Sequence, residues 1–222
     1  MTRACFLAPL ALCAATALAA LPASPAHAAE RFFLRGGPTV ATFDASAKVS
    51  VAGAPVPGGS ASLKNNTGLA VEGGWFVRPD WALSLTVGAP PKAKIDGDGS
   101  LAAAGLLGTA RYGPSALGLT YYAPTAGAFR PYLGAGASYT LVFHVRGSAI
   151  SDLKVKDGFG PYLQAGGEYR VSEHVDVFAD IKKIWVSVDA TGFTDTPLGP
   201  LPAKAKVALD PIIASTGLSF HF

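Results

Sequence analysis

Apolar residues recur at every second position along most of the chain. From Pro131, one face reads Pro131, Leu133, Ala135, Ala137, Tyr139, Leu141 and Phe143. The other reads Tyr132, Gly134, Gly136, Ser138, Thr140, Val142 and His144. The same period places Leu163, Ala165 and Tyr169 opposite Gln164 and Glu168, and Val177, Ala179 and Ile181 opposite Asp176, Phe178 and Asp180. A period of two is that of a strand with two unlike faces. Eight strands are predicted, over 31–43, 65–77, 81–92, 106–122, 130–144, 158–171, 175–189 and 205–222. They are longer than the about 5–6 residues usual in soluble sheets. Each exceeds the about 9–11 residues that a tilted strand needs to cross hydrocarbon.

The connections alternate in length. Arg78-Pro79-Asp80, Ala123 to Phe129 and Ser172-Glu173-His174 are short. Residues 44–64, 93–105, 145–157 and 190–204 form longer connections, rich in Gly, Ser, Pro and Lys, and Ile150 to Leu153 has room for one helical turn. Short turns on one side and long loops on the other are the pattern of an outer-membrane barrel. The expected fold is all-β, an eight-stranded antiparallel transmembrane β-barrel. A soluble barrel or sandwich also alternates, but its outward residues are not apolar on strand after strand.

Composition narrows the class. Half of the 222 residues are hydrophobic and 15% are charged, which excludes a disordered chain. With 26 Gly and 17 Pro the chain is no coiled coil. Arg3, the apolar run Cys5 to Leu21 and Ala26-His27-Ala28 read as a secretory signal, giving a signal peptide over 1–28 and one barrel domain over 29–222. Both cysteines, Cys5 and Cys13, fall in that signal, so the mature chain has no thiol chemistry. Of the charges, only Arg3 is lost with it, and the near-neutral remainder offers nothing to a nucleic-acid backbone.

The chain closes on Gly217-Leu218-Ser219-Phe220-His221-Phe222. Gly217 with aromatic Phe220 and Phe222 on one side fits the last-strand signal read by the outer-membrane assembly machinery. At this point the sequence resembles the outer-membrane protein W (OmpW) family. The resemblance is carried by Lys64 to Thr67, Arg130 to Thr140, Leu153 to Gly160, Gln164 to Tyr169, Asp180 to Trp185 and Leu209-Asp210-Pro211, in order through nearly the whole mature chain. Two stretches depart from the family: the ending Ser219 to Phe222, and the first long connection with Pro55, Pro57, Gly58 and Gly59. The resemblance implies a barrel in the Gram-negative outer membrane that passes small hydrophobic molecules through a narrow apolar lumen. It sets no oligomeric state.

With the N-terminus periplasmic, strand parity assigns the lumen. Its outer half is Ala41, Phe43, Val142, Tyr162, Ile184, Val186, Val188, Leu209 and Ile213, an apolar cup expected to bind the ligand. Its periplasmic half is Arg35, Ser84, Glu72, Glu168, Arg170, Asp176, Asp180, Lys182 and His221, a plug of paired charges. Pro38, Pro90, Pro91, Pro114, Pro131, Pro161 and Pro211 lie in or beside strands. Each lacks a ladder donor, so they either mark a sideways exit toward lipid or end strands at the rims.

Other chemistry is thin. Ser219 and His221 share a face, the one pair with catalytic composition. Four histidines at no ligand spacing predict no metal site, and no cofactor is expected. Asp96-Gly97-Asp98-Gly99 lacks the later Glu of a calcium loop and reads as a flexible loop. Trp75, Trp81, Tyr121, Tyr139, Tyr169 and Trp185 suit interface girdles. Two functions follow: a channel for small hydrophobic molecules, or a packed barrel acting through its outer loops. A lipid-directed enzyme is a third, weaker reading.

Overall fold

The computed structural model describes residues 31–196 and 199–222; the signal peptide expected over 1–28 lies outside them. Eight strands close a barrel: β1 (Phe32–Thr42), β5 (Asn66–Arg78), β6 (Trp81–Gly88), β8 (Leu106–Tyr122), β9 (Phe129–Gly147), β11 (Gly158–Arg170), β12 (Val175–Ile184) and β15 (Ile212–His221). Each pairs antiparallel with its neighbours in that order, and β15 returns to β1. Closure leaves this ring without an edge strand, which hydrocarbon requires because it offers no partner to a free N–H or C=O.

The alternation seen in the sequence is the inside and outside of this wall. Leu69, Val71, Leu83, Leu85, Leu117, Leu119, Leu133, Leu163, Ile181 and Leu218 point out, and their intervening neighbours point in. So large an apolar belt is a lipid-facing surface. Trp75, Tyr139, Tyr169 and Trp185 are exposed on it. Trp81 and Tyr121 are half-buried with ring centroids 5.0 Å apart beside the Arg78 to Trp81 turn.

Three expectations change. The long connections are mostly strand: β2 (Ser46–Val51), β3 (Ala54–Pro55), β4 (Gly59–Leu63), β7 (Lys92–Gly99), β10 (Ile150–Val155), β13 (Ser187–Thr196) and β14 (Gly199–Ala208). They extend the wall above the belt as an upper storey. Ala61, Ala93, Val188, Ala203 and Val207 still point in, while Lys48, Lys92, Lys94, Lys204 and Lys206 point out. Their outer face meets water, so their composition mimics loops. Thus Asp96 to Gly99 belongs to β7, and Ile150 to Leu153 is strand rather than a helical turn; a 3-10 turn forms at Ala102–Ala104 instead.

Secondly, the seventh and eighth predicted strands are each broken, at Trp185-Val186 and at Leu209-Asp210-Pro211. The breaks face each other. Ile184 N–H donates to Pro211 O (3.0 Å), Leu209 N–H to Val186 O (2.9 Å), and Trp185 N–H crosses to Pro161 O (3.0 Å). Here the wall passes from the β12–β15 pairing below to the β13–β14 pairing above. Thirdly, Pro90, Pro91 and Pro211, which fell inside predicted strands, lie between strands, while Pro38, Pro114, Pro131 and Pro161 lie within strands.

The closing seam carries one further feature. Between Gly36 and Thr39 the β1–β15 ladder is interrupted, where Gly37 and Pro38 face Gly217 and Thr216. A Cβ on Gly37 would lie 2.0 Å from Thr216 O, and one on Gly217 would lie 2.1 Å from Gly36 O. The two backbones approach so closely that only glycine fits on either side.

Candidate functional site: an apolar cavity over a charged floor

The lumen splits into two compartments. At the periplasmic end Arg35 projects from β1 into the barrel axis and is 1% exposed. Its Nη2 meets Glu72 Oε1 at 2.5 Å, and its Nη1 meets Glu168 Oε1 at 3.3 Å, with Asp180 Oδ2 at 3.9 Å. The guanidinium stacks over Tyr132 (4.4 Å) and near Phe33 and Phe178 (5.2 and 5.3 Å). Lys182 Nζ donates to Thr86 Oγ1 at 2.7 Å and lies 3.4 Å from Glu72 Oε2. Thr86 Oγ1 in turn donates to Glu72 Oε2 (2.7 Å). Asp180 Oδ2 accepts from Tyr132 OH (3.0 Å) and Gln164 Nε2 (2.7 Å). Such dense pairing is what makes buried charge tolerable.

Parity brings Arg35, Glu72, Glu168, Asp176, Asp180 and Lys182 into this plug, with Ser84 and His221. Arg170 does not join them. It is exposed at the last position of β11, where the wall ends before the turn and its long side chain reaches water. Tyr132, Gln164, Thr86, Phe33 and Phe178 also build the plug. All share the inward parity of the lumen residues already assigned on their own strands, so alternation alone could have found them.

Beneath the plug Phe33, Phe76, Tyr122, Tyr132 and Ala82 form a tight apolar cluster. Arg130 caps it, stacking on Tyr122 and Phe76 and donating to Pro79 O (2.6 Å). Ser219 Oγ lies 3.4 Å from His221 Nε2. Asp176 Oδ2 approaches that same nitrogen, at 3.3 Å. A serine relay needs the base and its orienting acid on opposite ring nitrogens, so this is not that geometry.

Above the plug lies a cavity of about 290 Å³. Thr86 and Lys182 line its floor. Ala41, Phe43, Val142, Ile184, Val186, Val188, Leu209 and Ile213 all line it. Tyr162 does not. It is packed against Ala116, Ile184 and Val186, with Lys182 Nζ 4.9 Å from its ring. The upper storey adds walls that were assigned to loops: Val49, Ala61, Ile95, Leu153 and Ala203. Beside Gly88, Ala89, Pro91 and Pro114, the lining includes Leu69, which is 61% exposed on the outer face. The cavity wall is therefore thinnest at this seam.

A closed barrel with a lipid belt, short turns at one end and a blocked core defines an outer-membrane β-barrel of Gram-negative type. Within that class, the OmpW family profile matches residues 28–222, and the chain belongs to the OmpW family. It is 37% identical over 201 residues to the dibenzothiophene metabolism operon protein PahQ of Pseudomonas aeruginosa, covering 90% of this chain and 93% of PahQ. It is 30% identical to outer membrane protein AlkL of Ectopseudomonas oleovorans, over 78% and 74% of the two chains. Among solved structures, it resembles OprG of Pseudomonas aeruginosa with a TM-score of 0.82 and 26% identity, covering 88% of this chain and 97% of that one.

Proposed function

We propose that this barrel is a channel for small hydrophobic molecules, which bind in the cavity above the plug. The observation that carries the reading is an apolar, side-chain-lined cavity of about 290 Å³ standing on a sealed charged floor. An engineered cavity of about 150 Å³ already takes benzene, so a fused aromatic or a medium alkyl chain fits here. Each methylene buried contributes about 0.8 kcal/mol. The relative PahQ is named for an operon of dibenzothiophene metabolism, and dibenzothiophene is an apolar ligand of that size. Because Arg35, Lys182 and their carboxylates block the axis, exit is sideways, through the seam at Leu69, Gly88, Pro91 and Pro114. Gly217, Phe220 and Phe222 act as the signal for the assembly machinery. The barrel catalyses no reaction of its own, in keeping with the geometry around Ser219.

The test is a titration of the refolded barrel in lipid bilayers with a fluorescent alkyl-chain probe, beside Val186→Arg, with partitioning into lipid subtracted. Saturable binding, competed by unlabelled alkanes and lost in the folded variant, is expected. Non-saturable binding in both proteins overturns the reading and favours a barrel that acts through its outer surface.

A further inference from the structure

Among the described residues, the fully buried charged side chains of the plug are two cations, Arg35 and Lys182, and four carboxylates, Glu72, Glu168, Asp176 and Asp180. Arg130, the next cation, is engaged at the mouth by Pro79 O and two aromatic rings. The interior thus carries an excess of negative charge, which is costly away from water. The excess is localised. Arg35 and Lys182 serve Glu72, Asp180 and one oxygen of Glu168. The second oxygen, Glu168 Oε2, is buried and accepts no hydrogen bond. It points toward His221 Nε2 at 3.5 Å.

Around that point three strands converge. Glu168 comes from β11, Asp176 from β12, and Ser219 and His221 from β15. His221 Nε2 is 3.3 Å from Asp176 Oδ2, 3.5 Å from Glu168 Oε2 and 3.4 Å from Ser219 Oγ. One imidazole N–H serves one acceptor, not three. Metal–ligand bonds of about 2.0–2.1 Å in a tetrahedron place neighbouring ligand atoms about 3.3 Å apart. The three separations match that edge. The rings of Phe33 and Phe76, 6.1 and 6.2 Å from the imidazole, shield the group from the periplasmic mouth.

We propose that Glu168, Asp176 and His221 bind a divalent cation, zinc by ligand chemistry, with Ser219 or a water as the fourth ligand. Residue spacing does not show this site, because the ligands come from three strands. Two positive charges there balance the plug. The ion ties the last strand to β11 and β12, so its role is structural, and the site is independent of what the upper cavity binds.

The experiment refolds the mature chain with zinc or with chelator, desalts it, and measures zinc per folded barrel by mass spectrometry. Folding is scored by heat-modifiable gel mobility. One zinc per barrel is expected in the first preparation. Cobalt in its place should give the intense visible bands of four-coordinate geometry. In folded His221→Gln and Glu168→Gln, zinc should fall to background. Substoichiometric zinc in the folded natural chain overturns the proposal, as does stoichiometric zinc persisting in both variants. If the variants do not fold, X-ray absorption of the zinc-loaded natural chain decides. One imidazole among oxygen ligands supports the site, and two or more imidazoles place the ion elsewhere.

Discussion

Asp210 holds Val186: its Oδ1 accepts the Val186 backbone N–H at 3.0 Å, while its own carbonyl accepts from Lys183 Nζ at 2.5 Å. This pair bridges the two facing breaks of the wall. Val186 lines the cavity, so the clasp also fixes one of its walls. Asp210 sits at φ 34°, which Asp and Asn tolerate better than Ala. Stability to urea in lipid vesicles should therefore fall in the order Asp, Asn, Gly, Ala at this position. Asp210→Ala should cost about 1–3 kcal/mol, the penalty of a buried donor left without a partner. An alanine variant as stable as the asparagine one would show that the clasp contributes nothing.

Arg35→Met should be the most damaging single change in the plug. It strips Glu72 Oε1 and Glu168 Oε1 of their cation, leaving only Lys182 beside Glu72, and breaking one partner of a buried ion pair costs about 3–5 kcal/mol. Pairing it with Glu72→Gln removes the orphaned charge, so the double variant should recover part of the loss. Planar-bilayer recording should show ion leakage for the single variant. If the double variant is no better than the single, the Arg35–Glu72 contact is not the coupling that matters.

The seam can be closed by a side chain. A Cβ at Gly88 would meet Pro114 Cγ at 2.7 Å, so Gly88→Leu narrows the wall where Leu69 lines the cavity from outside. Probe binding should survive, while delivery of bound probe into lipid should slow at least tenfold (about 1.4 kcal/mol in barrier). Unchanged delivery would rule out this seam as the exit.

Phe222→Ala should slow barrel assembly in cells, read as accumulation of the unfolded gel form, with little change in the stability of barrels that do form. Phe222 is 55% exposed, and its backbone bonds to Arg31 and Phe32 do not depend on its side chain. Normal assembly kinetics would remove the terminal aromatic from the signal.

Much of this architecture was legible because hydrocarbon outside and side chains inside impose one period on every strand. Arg35, Glu72, Glu168 and Val186 were placed by counting in twos. The upper storey was not, because the outer face of Ser46-Ala47-Lys48-Val49 meets water and its polar residues look like those of a loop. Arg170 follows the parity of Glu168 but stands at the strand's end, where parity no longer decides what is enclosed. The break at Asp210 was hidden because its cause is a contact with Val186, far away in the chain.

The glycine contact between Gly37 and Gly217 makes barrel closure self-checking. If the last strand slid by two residues, Ser215 or Ser219 would replace Gly217 opposite Gly37, and their Cβ atoms would strike the carbonyl oxygen of Gly36. Only one alignment lets the first and last strands meet at full depth. A misaligned hoop would stay ajar rather than lock, leaving it free to let go and try again. The close glycine pair thus favours one alignment of the first and last strands, a constraint met before any lumen exists to carry a ligand.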